Sequence, residues 1–341
     1  MALLIEDPGF HSTVQDLGRP GYYSVGVPLG GAMDTLSHEI ANCLVGNEPS
    51  LATIECTYTG PRFVATERAV MALTGAAMSV TVNGAEAPQW TSIELQPGDV
   101  VACGYASAGT RAYIAFQGGI DVPVVMGSRS TYSLGSIGGF QGRRLAAKDE
   151  VPIGHTPDGP APRRVLEEEL RPSIGRSGVS RVVLGPYDHL LKTESVDMLT
   201  SQEWVLTPVA DRTGFRFSGD KKFEFKPRQQ PVGAGSDPSN IVDAGYPMGS
   251  IQIPGGGQPI VLHRDAVSAG GYAMIATVIS ADLNAIAQLA PNSTTRFSIV
   301  SIEEALTARG EYRTQRDRIL TSITSQDTPK EGSRLLIGPP L

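Results

Sequence analysis

TIECTYTGPRFVATERAVMALTGAAMSVTVNG, residues 53–84, sets the character of this chain. Short runs of β-branched, aromatic and other apolar residues break at Gly60, Gly75 and the Asn83-Gly84 pair. Asn-Gly between MSVTV and AEAPQW is a dipeptide that closes a two-residue hairpin, because both central residues must take positive φ. The same texture runs outward through TSIELQPGDVVACG (91–104) and TRAYIAFQGG (110–119) to about Ile153. Strands this short and this often punctuated predict a closed barrel or sandwich, which leaves few exposed sheet edges.

Upstream, residues 2–5 are apolar and predict a first strand. Ser12–Asn47 then packs Gln15, Asp16, Arg19, Asp34, Asn42 and Asn47 among five glycines of a loop (18, 21, 26, 30 and 31) and two prolines, Pro20 and Pro28. The glycines let another group approach the backbone closely and the prolines stiffen the path, so the loop reads as a preorganised polar surface. Asp34 predicts a helix cap, accepting from the first free amides. Leu36, Ile40, Cys43 and Leu44 repeat as one buried stripe, and Gly46 supplies a left-handed terminus. Asn42 falls on the opposite face with Thr35, His38 and Glu39, which predicts a solvated or partner-facing surface.

Downstream, prolines and charges replace the apolar alternation across HTPDGPAPRRVLEEELRPSIGRSG (155–178), with a short helical turn in VLEEEL. The expected organisation is a first barrel subdomain over 1–160, a linker over 161–178, a second barrel subdomain over 179–302, and a peripheral helix with a loose tail over 303–341. The second unit carries the strand-like runs SRVVLGPY, EWVLTPVAD, GFRFSG, SIQIPGG, PIVLHRDAV and RFSIVSI. VISADLNAIAQLA (278–290) reads as a second amphipathic helix, with Leu283, Ile286, Ala287 and Ala290 on one face. Gln252 alternates with Ile251 and Ile253 and leads into Pro254-Gly255-Gly256-Gly257-Gln258-Pro259. Three consecutive glycines cost chain entropy, so this turn predicts either a tight bend or the close approach of a ligand. Trp90 and Trp204 are expected in the core or an interface.

At 341 residues the chain exceeds one ordinary core, so two domains are expected. The composition, 40% apolar and 18% charged, is that of a globular protein. A net charge of −7 argues against a nucleic-acid binder. Three cysteines without a CxxC argue against a disulfide framework and for a reducing cytoplasm. MALLIEDPGF lacks a basic start and a long apolar core, so no signal peptide is expected. No window approaches 18 uncharged apolar residues, so no membrane partner is expected. There is no GxxxxGK[ST] phosphate loop. HRD at 263–265 lacks the glycine loop and DFG of a kinase. Five scattered histidines (11, 38, 155, 189 and 263) have no metal-ligand spacing, so no metal is expected. What remains is amides, carboxylates, glycines and 22 arginines against six lysines. That inventory suits electrostatic stabilisation by fixed donors and carboxylate binding by guanidinium forks.

TVQDLGRPGY (13–22), GVPLGGAMD (26–34), ANCLVGN (41–47), GGIDVPVVMGSRST (118–131), ADRTGFRFSG (210–219), MGSIQIPGGGQPIVLHRDAVSAGGY (248–272) and VISADLNAIAQL (278–289) carry a resemblance. In this order they resemble the allophanate hydrolase subunit 2 family, which includes the C-type subunit of 5-oxoprolinase and the matching half of the carboxyltransferase domain of urea carboxylases. The resemblance implies a mainly β fold with a few helices, built as two cyclophilin-like β-barrel subdomains. It implies a subunit of an ATP-dependent 5-oxoprolinase or of a biotin-dependent, urea-type carboxyltransferase, acting on a small amide or lactam and inactive alone. ATP used by the complex, or biotin on a separate carrier, would be the cofactor. A B-type subunit would share the active site, with an A-type subunit or a biotin carboxylase as a further partner. Met-Lys-Met and Gly-Gly-Ser-Ser-Gly are absent, so this chain is expected neither to carry biotin nor to hydrolyse allophanate itself.

Carboxyl transfer requires a held carboxylate, a stabilised ureido oxygen and a nearby proton acceptor. For catalysis the candidates are Asp16, Arg19, Arg212 and Asp265: Arg19 to grip a carboxylate, Asp16 to orient it, and Asp211-Arg212 echoing them in the second unit. For substrate binding they are Gln15, Asp34, Asn47, Gln252, Gly256, Gly257, Gln258, Gly271 and Tyr272. Each has a structural alternative: internal Asp–Arg pairs, a helix cap at Asp34 and Asn47, a buried pair at Glu55, an outward and idle Gln288. Asp243-Ala244 departs from the family, whose members carry a Ser followed by an acidic residue there. Two rival readings share this fold: a non-catalytic regulator that binds a kinase-inhibitor-like B-type partner, and a stand-alone cyclophilin-like isomerase.

Overall fold

A computed structural model describes residues 2–155, 163–175, 177–255 and 257–327. Its strands in the first half are β1 (Ala2–Asp7), β2 (His11–Gln15), β3 (Thr53–Thr57), β4 (Arg62–Ala65), β5 (Ala69–Val82), β6 (Ala85–Glu86), β7 (Ser92–Leu95), β8 (Val100–Phe116) and β9 (Glu150–Pro152). In the second half they are β10 (Ser177–Leu184), β11 (Trp204–Ala210), β12 (Gly214–Ser218), β13 (Asn240–Gly245), β14 (Ser250–Gln252), β15 (Ile260–Leu262), β16 (Ala269–Tyr272), β17 (Met274–Val278) and β18 (Thr294–Ile299). The α-helices are α1 (Thr35–Leu44), α2 (Thr193–Ser201), α3 (Leu283–Ala287) and α4 (Ile302–Thr324).

The first nine strands form one sheet. Its main order is β2-β3-β8-β4-β1-β9, and β5 pairs with β6, β7 and β8. Val82↔Ala85 pairing turns the chain at Asn83 (φ 52) and Gly84 (φ 82), the expected hairpin. The second half closes into a seven-strand barrel, β10-β17-β14-β15-β12-β11-β18, sealed by parallel pairing of β10 with β18. β13 and β16 form a separate two-stranded ribbon. Each large sheet has its own apolar core. The first is built on Ile54, Phe63, Leu73, Ile114 and Phe116. The second is built on Trp204, Phe215, Phe217, Ile251 and Phe297. Trp90 and Trp204 are both buried.

Helix α1 begins as its sequence predicts, with Asp34 accepting from the Ser37 amide, and Gly46 follows its end at φ 83. Its polar face is not solvated, however: His38, Glu39 and Asn42 are buried along with the apolar stripe. His38 Nδ1 meets Thr53 Oγ1 at 3.0 Å, Asn42 donates to the Leu51 carbonyl at 2.8 Å, and Glu39 accepts two hydrogen bonds from Arg316 at 2.6 and 2.7 Å. Arg316 belongs to α4, whose Ile319, Leu320 and Ile323 join Ile40 and Leu44 in a third core. The C-terminal helix is thus an integral layer of the core. Leu166 joins the same cluster, so the charged stretch after residue 163 packs down rather than spanning freely. Helix α3 is shorter than its periodicity predicts, because Val278 is the last residue of β17 and pairs with Val182.

Burial pushes His38 down to about 4 from 6.5. The unfolded chain therefore takes up its proton first as pH falls. The stability His38 contributes is complete above about pH 6.5 and is lost progressively toward pH 4. Melting temperature measured against pH should fall over that window, and His38→Gln should flatten part of the fall. His263, also depressed by burial, accounts for a further part. An unchanged profile in His38→Gln would refute this assignment.

Candidate active site at the seam of the two sheets

Arg212 lies in the turn between β11 and β12 and reaches across to the first sheet. Its Nε and Nη2 donate to Asp265 at 2.7 and 3.0 Å, its Nη1 to Glu55 on β3 at 2.5 Å, and its Nη2 also to the Gly31 carbonyl at 2.8 Å. All three charged groups are buried. Burial opposes the charge on Arg212, and Asp265 and Glu55 override it, raising its pKa. Burial likewise opposes the Glu55 carboxylate. The Arg212 and Arg111 guanidiniums, the Met33 amide (2.8 Å) and the Tyr113 hydroxyl (2.9 Å) overcome that and hold it below the usual range. Of the two readings of Glu55, the structure bears out the buried pair. The Arg212 fork is likewise occupied by the protein's own carboxylates.

Beside this triad lies a cavity of about 250 Å³, lined by Phe10, His11, Thr57, Tyr58, Arg111, Ser133, Leu134, Ala210, Asp211, Arg212, Thr213 and Asp265. Three adjacent strands build its floor. His11 on β2 pairs with Thr57 on β3, and Thr57 with Arg111 on β8, so these side chains form one row across the sheet. Burial, reinforced by Arg212, lowers the His11 pKa, so its imidazole is neutral at pH 7. The rim is apolar: Phe10 is 62% and Leu134 76% exposed. Tyr58 holds φ 62, a sparsely populated conformation for an aromatic residue. Hydrogen bonds pin its backbone on both sides, from its amide to Thr110 O (2.8 Å) and from the Ala106 amide to its carbonyl (2.7 Å). Phe10 packs edge-on against its ring at 5.6 Å. Strain over-determined in this way is characteristic of functional sites.

Asp16 and Arg19 do not pair with each other. Asp16 Oδ1 accepts from Gly18 N (2.8 Å) and Ser128 Oγ (2.6 Å), and Oδ2 from Arg129 N (2.6 Å), stapling the first loop to residues 128–130. Arg19 is buried, donates from Nη2 to the Ser130 carbonyl, and leaves Nε and Nη1 without partners among the described residues. Two glycines with positive φ clamp its guanidinium. A Cβ at Gly30 would lie 3.0 Å from Nη1; at Gly138 it would lie 2.6 Å from Nη2 and 2.2 Å from the Ser130 carbonyl oxygen. Gly138→Ala is therefore expected to destabilise the fold more than Gly30→Ala, read as the difference in chemical-denaturation midpoints. Equal midpoints would contradict the clamp.

The other sequence candidates fall in several places. Gln15 is buried and donates to Thr13 Oγ1 (3.0 Å) and the Thr131 carbonyl (3.1 Å). Asp34 caps α1 and accepts at 2.8 Å from Gln288, which is buried and not outward. Asn47 ties the α1 terminus to Phe116 O and Gly118 N, each at 2.8 Å. Gln252 is half-buried on β14. Gly257 (φ 70) and Gln258 belong to a turn whose Gly257 carbonyl accepts from Phe223 N at 2.9 Å; Gly256 lies outside the described residues. Gly271 and Tyr272 lie on β16, where the Tyr272 amide donates to Tyr246 Oη at 2.7 Å. Ala244 pairs with Gly270 in the same ribbon. Among the described residues, no hydrogen bond or ion pair joins Gln252, Gln258 or Tyr272 to the arginine centre. The structure thus joins Arg212 to Asp265 at the seam and ties Asp16 and Arg19 to residues 128–130. Sequence reasoning did not select His11, Tyr58, Arg111 or Ser133; the signal for His11 and Arg111 is strand register, which becomes legible once β2, β3 and β8 are paired. Among the described residues, no group of three or more His, Cys, Asp or Glu is placed to hold a metal ion, and no helix is long and apolar enough to cross a membrane.

This architecture, a mostly β chain of two large sheets of which the second closes into a barrel, is that of a carboxyltransferase domain. Residues 25–299 match the family described as carboxyltransferase domain, subdomain A and B, and the chain belongs to it. It is 33% identical over 307 residues to the C-type subunit of 5-oxoprolinase from Escherichia coli, covering 89% of this chain and 93% of that protein. It is 34% identical over 313 residues to urea amidolyase of Saccharomyces cerevisiae, covering 89% of this chain but 17% of that protein. The crystal structure of Kluyveromyces lactis urea carboxylase superposes with a TM-score of 0.87 at 32% identity, over 94% of this chain and 29% of that one.

Proposed function

We propose that this chain supplies one half of a shared active site, in a 5-oxoprolinase or a biotin-dependent urea-type carboxyltransferase, completed by a B-type partner. The reactant, a small amide or lactam, sits in the cavity at the seam. The observation that carries this reading is the cavity itself: a strained aromatic residue, a neutral imidazole and a buried arginine face one space with an apolar, exposed rim. The rim provides the surface a partner would cover, and covering it would exclude water and strengthen the polar contacts inside. Arg212, fixed by Asp265 and Glu55, keeps the floor rigid without itself gripping the reactant. His11, neutral, can accept a proton or polarise a carbonyl. The space suits a lactam or a ureido ring, and ATP would act elsewhere in the complex. Biotin, on a separate carrier, would supply the transferred carboxyl group in the carboxylase form.

Reconstitution tests the reading. ATP-dependent 5-oxoproline cleavage with A- and B-type subunits, or urea carboxylation with a biotin carboxylase and its carrier, should require this chain, and the chain alone should turn over neither. A full rate without it would reject the proposal. The occupied Arg212 fork favours a second reading, a regulator that binds a B-type partner without turnover. His11→Gln separates the two: a regulator keeps partner binding and function, whereas the enzyme keeps binding and loses rate.

A further inference from the structure

We propose that the chain pairs with a second copy of itself through the first half of α4. Among the described residues, this surface has none in common with the cavity at the seam, so the pairing holds whether or not that cavity takes the reactant. The last turns of α4 bury Ile319, Leu320 and Ile323, whereas in its first three turns Ala308 is the one buried residue among those described. Ile302 and Leu306, one turn apart, are left 62% and 49% exposed, and Ile299, just before the helix, is 41% exposed. Beside them runs an apolar groove of about 300 Å³. Met248, Val278, Ile279 and Leu283 line it from the barrel, and Ile302, Leu306 and Arg309 line it from the helix.

Charge and shape identify the occupant. Among the described residues the ion pairs of α4 are those of Arg316, so the exposed Glu303, Arg309 and Arg313 have none. Arg309 and Arg313 also repel each other across one turn. Gly310 is exposed, with no atom within 4 Å of the place its Cβ would take. A glycine inside a helix costs stability relative to alanine but lets another chain come close. Ile302, Glu303, Leu306, Arg309 and Gly310 recur at three and four residues, so they share one face. Antiparallel pairing of two α4 helices about a twofold axis at Leu306 uses all five. Glu303, three residues before the axis, meets Arg309 of the second copy, three residues after it, and symmetry makes this pair twice. Ile302 meets Gly310, whose missing side chain leaves room for it. Leu306 packs against its own equivalent, with the apolar groove alongside. Parallel pairing would instead set Glu303 on Glu303 and Arg309 on Arg309, which like-charge repulsion disfavours.

Analytical ultracentrifugation of the full chain at rising concentration tests this. The mean mass should climb from one chain to two. Leu306→Glu, at a half-exposed position, should keep the parent melting temperature and weaken pairing at least about a hundredfold, and Arg309→Glu should weaken it at least about tenfold. Combining Glu303→Arg with Arg309→Glu restores opposite charges across the axis and should recover most of that loss, a rescue that a purely local effect on the helix would not give. A chain that stays monomeric up to about 1 mM would overturn the proposal and leave the groove to a different protein or an apolar small molecule. A dimer unchanged in Leu306→Glu, or a double variant that pairs no more tightly than Arg309→Glu, would overturn it too. If Leu306→Glu fails to fold, the charge exchange still decides.

Discussion

Arg212→Met is expected to cost about 3–5 kcal/mol of folding stability, because it removes the ion-pair partner that two buried carboxylates share. Glu55 keeps the Met33 amide and the Tyr113 hydroxyl, but Asp265 loses the partner of both its oxygens. The two sheets also lose the contact that Arg212 makes with Gly31. Urea denaturation gives the cost, and a loss below about 1 kcal/mol would show that the triad does not fasten the seam. Arg212→Lys should recover part of it, since an ammonium supplies the charge without the planar fork. The same reasoning makes Arg212 a poor probe of catalysis, because its loss perturbs the scaffold before it perturbs the chemistry.

Gln288→Leu should produce the second large effect, above about 3 kcal/mol. Gln288 accepts from Thr110 N (3.0 Å) and Arg111 N (3.1 Å) and donates to Asp34 Oδ2 (2.8 Å) and Arg111 O (2.9 Å). Leucine leaves four buried polar groups to find new partners, at about 1–3 kcal/mol for each that does not. Asp34 suffers most: burial already raises its pKa, and the Gln288 hydrogen bond is the main contact that opposes this. Calorimetric melting measures the effect, and a variant within about 1 kcal/mol of the parent would contradict the bridging role.

The features legible in sequence are those that local chemistry decides. Asp34 caps, Gly46 terminates and Asn83-Gly84 turns because each acts within a few residues of itself. The β character and the resemblance to the family were legible for a related reason: alternation and punctuation are properties of short windows. Residues whose environment is set by distant chain were misjudged. Gln288 can be read as outward and idle because its partners lie 177, 178 and 254 residues away. The polar face of α1 reads as solvated or partner-facing because Arg316, which neutralises Glu39, is 277 residues downstream. Val278 reads as helical because periodicity does not reveal that Val182 pairs with it. The site shows the same division. Arg212 and Asp265 stand out beside glycines, whereas His11, Thr57 and Arg111 become one row only through the register of three strands.

The central claim is that the reactant occupies the cavity at the seam, and blocking that cavity tests it. Cys43, Cys56 and Cys103 are all buried, so Ser133→Cys, at an exposed position on the cavity wall, offers one accessible thiol for a bulky maleimide. Before labelling, the assembled complex should keep its turnover; after labelling, it should lose at least about a hundredfold while this chain keeps its melting temperature. A labelled complex that turns over at the parent rate would place the chemistry somewhere other than this cavity.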